Sequence, residues 1–107
     1  MDNQHRKIKG YRELSQEEVD LMNAIKTKGA ELLELQAQLV ESLSRQRREK
    51  QWAAGLVENR SHHDMGQIEE FTRFIDAEPE RWANIGKTDI QTGIMAMVRA
   101  VAQPTDN

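Results

Sequence analysis

The stretch HRKIKGYRELSQEE, residues 5–18, sets Arg6, Lys7, Lys9 and Arg12 around a glycine and the only tyrosine of the chain, Tyr11, and then turns acidic. A tyrosine ring offers a flat π surface on which a nucleobase can stack, and Arg or Lys beside it can meet phosphate. The plainer alternative is an exposed basic arm with Tyr11 packed on a neighbouring helix. Lys26, in IKTKGA, lies four residues after Met22 at the margin of an apolar stripe, where Gly29 leaves room for a ligand or a second backbone. A lysine in that place either delivers its ammonium into a pocket or snorkels to solvent while its stem packs. Farther along, Thr88, Thr92 and Arg99 lie close to whole helical turns apart, with Lys87 adjacent. Threonine hydroxyls and an arginine fork suit phosphate oxygens. Alternatively the threonines bond within their own helix and Arg99 pairs with a glutamate.

Three other groupings lead less far. His62, His63 and Asp64 have the side chains of metal ligands, but adjacent histidines point in different directions and only His5 remains elsewhere, so no metal site is expected. RQRREK, residues 45–50, reads as a solvated helix face, with weak nucleic-acid binding as its alternative. Gly86, Lys87 and Thr88 look like the end of a P-loop. The upstream glycine is missing, since position 81 is Arg, and no strand precedes it. With no Ser/His/acid pattern and no isolated carboxylate pair amid apolar residues, the chain is expected to bind without catalysing and to need no cofactor.

Helices must position these groups. Ser15 followed by Glu18 is a capping box, and Glu17, Glu18 and Asp20 suit the positive end of a helix dipole. The stripe Met22, Ile25, Gly29, Leu32, Leu39 and Leu43, completed by Gln36 and widened by Leu33, Leu35 and Val40, predicts a helix running to about Leu56. Residues 58–66 read as a polar loop ending in a glycine. Ile68, Phe71, Phe74 and Ile75 return to helical spacing, and Pro79 opens a final helix that reaches about Ala102, before Pro104. Residues 1–14 form a basic N-terminal segment and 103–107 a tail. Gly86 and Gly93 share a face of the final helix, which predicts a close backbone approach there. Its apolar residues wrap more than one side, so neighbours from other subunits are expected to cover it.

The totals agree. A chain of 107 residues suits one domain, and 5% aromatics make a thin core. A net charge of −3 argues against DNA coating, so any anionic ligand must be met by local positive charge. No apolar run is long enough to span a membrane. Without cysteine or a signal sequence, the cytoplasm is the expected compartment.

Two blocks, QHRKIKGYRELSQEEVDLMNAIKTKGAEL and RWANIGKTDIQTGIMAMVRAVAQP, resemble the second type of phage anti-CBASS sponge. CBASS is a bacterial antiviral system that signals with cyclic oligonucleotides. The resemblance covers roughly residues 4–39 and 81–104, and residues 40–80 look longer than in that family. It implies an all-α protomer, with a short N-terminal helix and longer antiparallel helices, assembled into a compact homohexamer. It implies sequestration of cyclic dinucleotides such as cyclic GMP-AMP, with cyclic trinucleotides held in separate pockets, all in the cytoplasm of the infected cell. The family's dinucleotide pocket uses a tyrosine and a lysine that match Tyr11 and Lys26, and Arg6 and Lys9 of the basic turn are added to that pocket. Lys87, Thr88 and Arg99 match a second segment and, with Thr92, form the candidate second pocket. A close to two-fold symmetric ligand suits an isologous interface that presents each residue twice. The rival reading is a helical assembly or adaptor protein without a nucleotide ligand.

Overall fold

The computed structural model describes residues 12–55 and 64–105, and every regular element among them is a helix. Helix α1 spans Gln16–Ala53, α2 Met65–Ala77 and α3 Pro79–Ala102. The first described helix is the long α1; a short N-terminal helix ahead of it would fall on residues 1–11, outside the described ones. None of the described helices is long and apolar enough to cross a membrane.

Each boundary has a local cause. At the start of α1 the expected capping box is formed: the Glu18 N–H donates to Ser15 Oγ at 3.1 Å, and the Ser15 N–H donates to Glu18 Oε1 at 2.9 Å. α1 ends three residues short of Leu56, because Gly55 turns the chain at φ 75°, a conformation that favours glycine. Asp64 caps α2 by accepting from the Gln67 N–H at 3.0 Å. The loop expected over 58–66 therefore gives way to helix at Met65. Glu78, at φ 49°, closes α2, and its carbonyl accepts from the Trp82 N–H at 3.2 Å in the first turn of α3. Pro79 fits the first position of α3, where its missing N–H costs nothing.

The described chain falls into two compact units: residues 12–33 with 88–105, and residues 34–55 with 64–87. In the second, Leu43, Phe74 and Ala83 form a small buried cluster flanked by Val40 and Ile75. Phe74 is 3% exposed, a burial worth about 1.5–3 kcal/mol. The guanidinium of Arg47 and the ammonium of Lys50 stand 5.9 and 6.0 Å from its ring centre. Gln36, the polar member of the α1 stripe, donates through Nε2 to the Ala83 carbonyl of α3 at 2.9 Å. A polar residue inside an apolar stripe is thereby satisfied.

In the first unit, the opening part of α1 lies beside the closing part of α3. Gly29 is buried there, and a Cβ on it would stand 2.3 Å from Ile94 Cδ1 and 2.6 Å from Cγ1. The close approach expected at Gly86 and Gly93 is not found among the described residues, since a Cβ on either meets nothing within 4 Å there. The pattern of spacing picked out a shared face, but the space near Gly29 is filled by a branched side chain from α3. Leu32 and Met97 remain about half exposed, and Met95 is 71% exposed.

Candidate functional site

Among the described residues, the cations divide into two sets. Arg12, Lys28, Arg45, Arg47, Lys50, Arg73 and Arg81 each lie within 4.0 Å of a carboxylate. Lys26, Arg48, Lys87 and Arg99 have no carboxylate partner among the described residues, and Arg48 donates to Ser44 Oγ at 2.9 Å. A cation already neutralised by a neighbour contributes little field to an incoming anion, whereas an unpaired, exposed one is available to it. Three of the four unpaired cations are residues that the sequence marks as phosphate contacts: Lys26, Lys87 and Arg99.

Lys26 is exposed on α1. It adjoins an apolar cleft of about 410 Å³ in the first unit but is not part of its lining, which includes Ile25, Gly29 and Leu32 of α1 and Ile90, Ile94 and Met97 of α3. Lys87, Thr88, Thr92 and Arg99 are all exposed on α3, and Thr88, Thr92 and Arg99 recur near whole turns, so they share one side of the helix. Gly86, Lys87 and Thr88 sit inside α3, where the backbone N–H groups bond within the helix instead of cradling a phosphate, so the P-loop likeness ends there. Tyr11, Arg6 and Lys9 lie outside the described residues, as do His62 and His63. Asp64, the acidic member of the possible metal set, is engaged as the α2 cap.

The basic stretch 45–50 is largely neutralised. Arg47 donates through Nε to Glu80 at 2.6 Å, and Lys50 Nζ lies 2.9 Å from Glu70. Arg45 is 4.0 Å from Glu49. Glu70 also accepts from Arg73, and these bonds, Arg73's before Lys50's, lower its carboxyl pKa to about 2. This arrangement favours the solvated, ion-paired face over nucleic-acid binding.

One member of the opening basic turn is also committed. Arg12 donates through Nη2 to the Val101 carbonyl at 2.8 Å and through Nε to the Ala102 carbonyl at 3.2 Å. The same guanidinium binds both oxygens of Glu18, with Nη1 at 3.3 Å from Oε1. The terminal carbonyls of a helix lack intrahelical donors, and Pro104 has no N–H to offer, so Arg12 meets a real deficit and places a cation at the negative end of the α3 dipole. Arg12, followed by the backbone N–H of Ser15, holds the Glu18 carboxyl down at about 2. Sequence reasoning missed this clamp because Arg12 and Glu18 are six apart and only the arrival of α3 joins them. It also passed over the Asp64 cap, for which Gln67 three residues later was an available signal.

No family model matches the chain. A protein of Pseudomonas phage JBD67 named anti-CBASS protein 2 is 57% identical over 105 residues, which cover 97% of this chain and 97% of that protein. An alignment that spans both chains so fully shows that residues 40–80 are not longer than the matching segment of that protein.

Proposed function

Because the chain belongs to the anti-CBASS protein 2 family, we propose that it blocks CBASS signalling by sequestering cyclic oligonucleotide messengers, cyclic dinucleotides such as cyclic GMP-AMP first among them, without converting them. The observation that carries this reading is the set of unpaired cations. Among the described residues Lys26, Lys87 and Arg99 have no carboxylate partner, in a chain of net charge −3 whose other described cations, Arg48 apart, are tied to carboxylates. Lys26 with Tyr11, Arg6 and Lys9 forms the dinucleotide pocket. Lys87, Thr88, Thr92 and Arg99 form a second pocket suited to a ring of three phosphates. The compartment of action is the cytoplasm of the infected cell.

The working form is a homo-oligomer, a hexamer by the family resemblance. Leu35, Leu39, Trp52, Met65 and Trp82, all about half or more exposed, are apolar surface that a lone chain leaves in water. An isologous contact also doubles each pocket residue against a two-fold ligand. The adaptor reading shares the apolar surface but gives no reason for the unpaired cations.

Capture and release separate the readings. Purified protein is mixed with cyclic GMP-AMP, freed of unbound ligand, heat-denatured and assayed for what it releases. Intact nucleotide is the expected result. A converted product would mean an enzyme, and no captured nucleotide would favour an adaptor.

A further inference from the structure

We infer that the Arg12 fork is a latch on the closing turns of α3, and that its release lets those turns swing away from α1 while the second unit stays folded. The inference stands on the geometry of the first unit and needs no ligand. In that unit α1 and α3 meet where Ile94 fills the space beside Gly29. Seven residues further along α3, Arg12 reaches across to the Val101 and Ala102 carbonyls, braced by Glu18. Seven residues of helix span about 10 Å, so the latch acts about two turns beyond the apolar contact.

Burial explains why polar bonds weigh heavily at that end. Among the described residues of the first unit, Gly29 is buried and no side chain is. Met95 is 71% exposed, Met97 51%, and Arg99 and Ala100 are exposed too. The second unit, by contrast, buries Leu43, Phe74 and Ala83. Segments with few buried apolar contacts open locally at little cost, and charge-assisted hydrogen bonds are about twice as strong as neutral ones. The geometry needs an arginine. Its planar fork donates at the same time to a carboxylate and to two carbonyls, whereas a lysine ammonium is a single point on a flexible stem. Glu18 has two separable tasks: it accepts the Ser15 N–H in the α1 cap, and it braces Arg12. A glutamine in its place can keep the cap but carries no charge for Arg12.

The chain has no cysteine, so Asn23→Cys on α1 and Ala100→Cys on α3, both at exposed positions, take spin labels at those two points alone. Labelled full chain is diluted with unlabelled protein, so that the distance read lies within one chain, and amide hydrogen exchange is followed on unlabelled protein. The latch variants are Arg12→Ala, Arg12→Lys and Glu18→Gln, each checked for helix content and assembly. With Arg12 and Glu18 intact, one narrow distance distribution is expected. Arg12→Ala should broaden it toward longer distances and speed exchange of amides 98–103 about tenfold, while the amides flanking Phe74 change less than about twofold. Arg12→Lys should behave as Arg12→Ala does. Glu18→Gln should loosen the same end of α3 while the first-turn amides of α1 keep their protection. A distance distribution and α3 exchange both unmoved by Arg12→Ala overturn the inference. So does equal acceleration in the two units, which a general support of the fold would give, and so does full rescue by Arg12→Lys. A Glu18→Gln effect confined to α1 overturns it as well, since Glu18 would then serve only the cap.

Discussion

Replacing Gly29 with alanine sets two known effects against each other in one helix. Alanine is favoured over glycine in a helix interior by about 1 kcal/mol. Against this, the added Cβ would stand 2.3 Å from Ile94 Cδ1, 2.6 Å from Cγ1 and 3.7 Å from Cγ2. Carbon atoms rest at about 3.5–4.0 Å, so the nearest must retreat by about 1 Å. Ile94 Cδ1 can swing away, but Cγ1 is fixed by χ1, and a β-branched residue in a helix has one strongly preferred χ1. Overpacking of this kind costs about 1–3 kcal/mol. Gly29→Ala is therefore expected to destabilise by up to about 2 kcal/mol after the helix gain is subtracted. In an Ile94→Ala background the obstructing atoms are gone, and the same substitution should stabilise by about 1 kcal/mol. The decisive quantity is the coupling between the two sites, about 1–3 kcal/mol, read from urea unfolding of all four proteins at one protomer concentration. A Gly29→Ala protein more stable than wild type, with the same gain in both backgrounds, would refute the packing argument.

A Cβ on Gly93, which lines the cleft, meets nothing within 4 Å among the described residues, so Gly93→Leu should leave helix content unchanged while disrupting the oligomer; light scattering that shows an intact assembly sinks that expectation. Acid provides a second check. The Glu18 carboxyl is lowered from 4.5 to about 2, so its stabilising bonds are fully present above the ordinary value and are lost as pH falls through about 2. Protection of the first-turn amides of α1 should therefore persist at about pH 3.5 and fade nearer pH 2, whereas fading already around pH 4.5 would contradict the clamp. On α3, Arg99→Ala and Thr88→Val should weaken cyclic trinucleotide binding and spare cyclic dinucleotide binding. Equal loss of both ligands with the oligomer intact would mean one shared pocket.

The local rules of the chain were legible wherever cause and effect lie within a few residues. The Ser15–Glu18 box, the Pro79 start and the end of α3 before Pro104 follow from side chains acting on their own turn. The exposed α3 track of Thr88, Thr92 and Arg99 follows from periodicity alone. What the sequence concealed depends on two helices meeting. Among the described residues Gly29, and not Gly86 or Gly93, is crowded by a side chain from another helix, because the position of Ile94 across from it is a tertiary fact. Gln36 looked like a gap in an apolar stripe and is a donor to an α3 carbonyl. Arg12 looked like one of four equivalent cations, and its separation from the unpaired set is visible only once Val101 and Ala102 stand beside it. Charge counting along a sequence gives the number of cations but not which of them a carboxylate has already claimed.

The central claim is that the unpaired Lys26 and the tyrosine of the basic turn hold a cyclic dinucleotide, and titration calorimetry with cyclic GMP-AMP tests it most directly. Wild type should bind, Lys26→Ala should lose about 1.5–3 kcal/mol for each phosphate contact, and Tyr11→Ala about 1–3 kcal/mol for each stacked base. Arg45→Ala, which removes a cation already beside Glu49, should bind as wild type does. Unchanged affinity in both Lys26→Ala and Tyr11→Ala, or a wild type that takes up no ligand, would contradict the account.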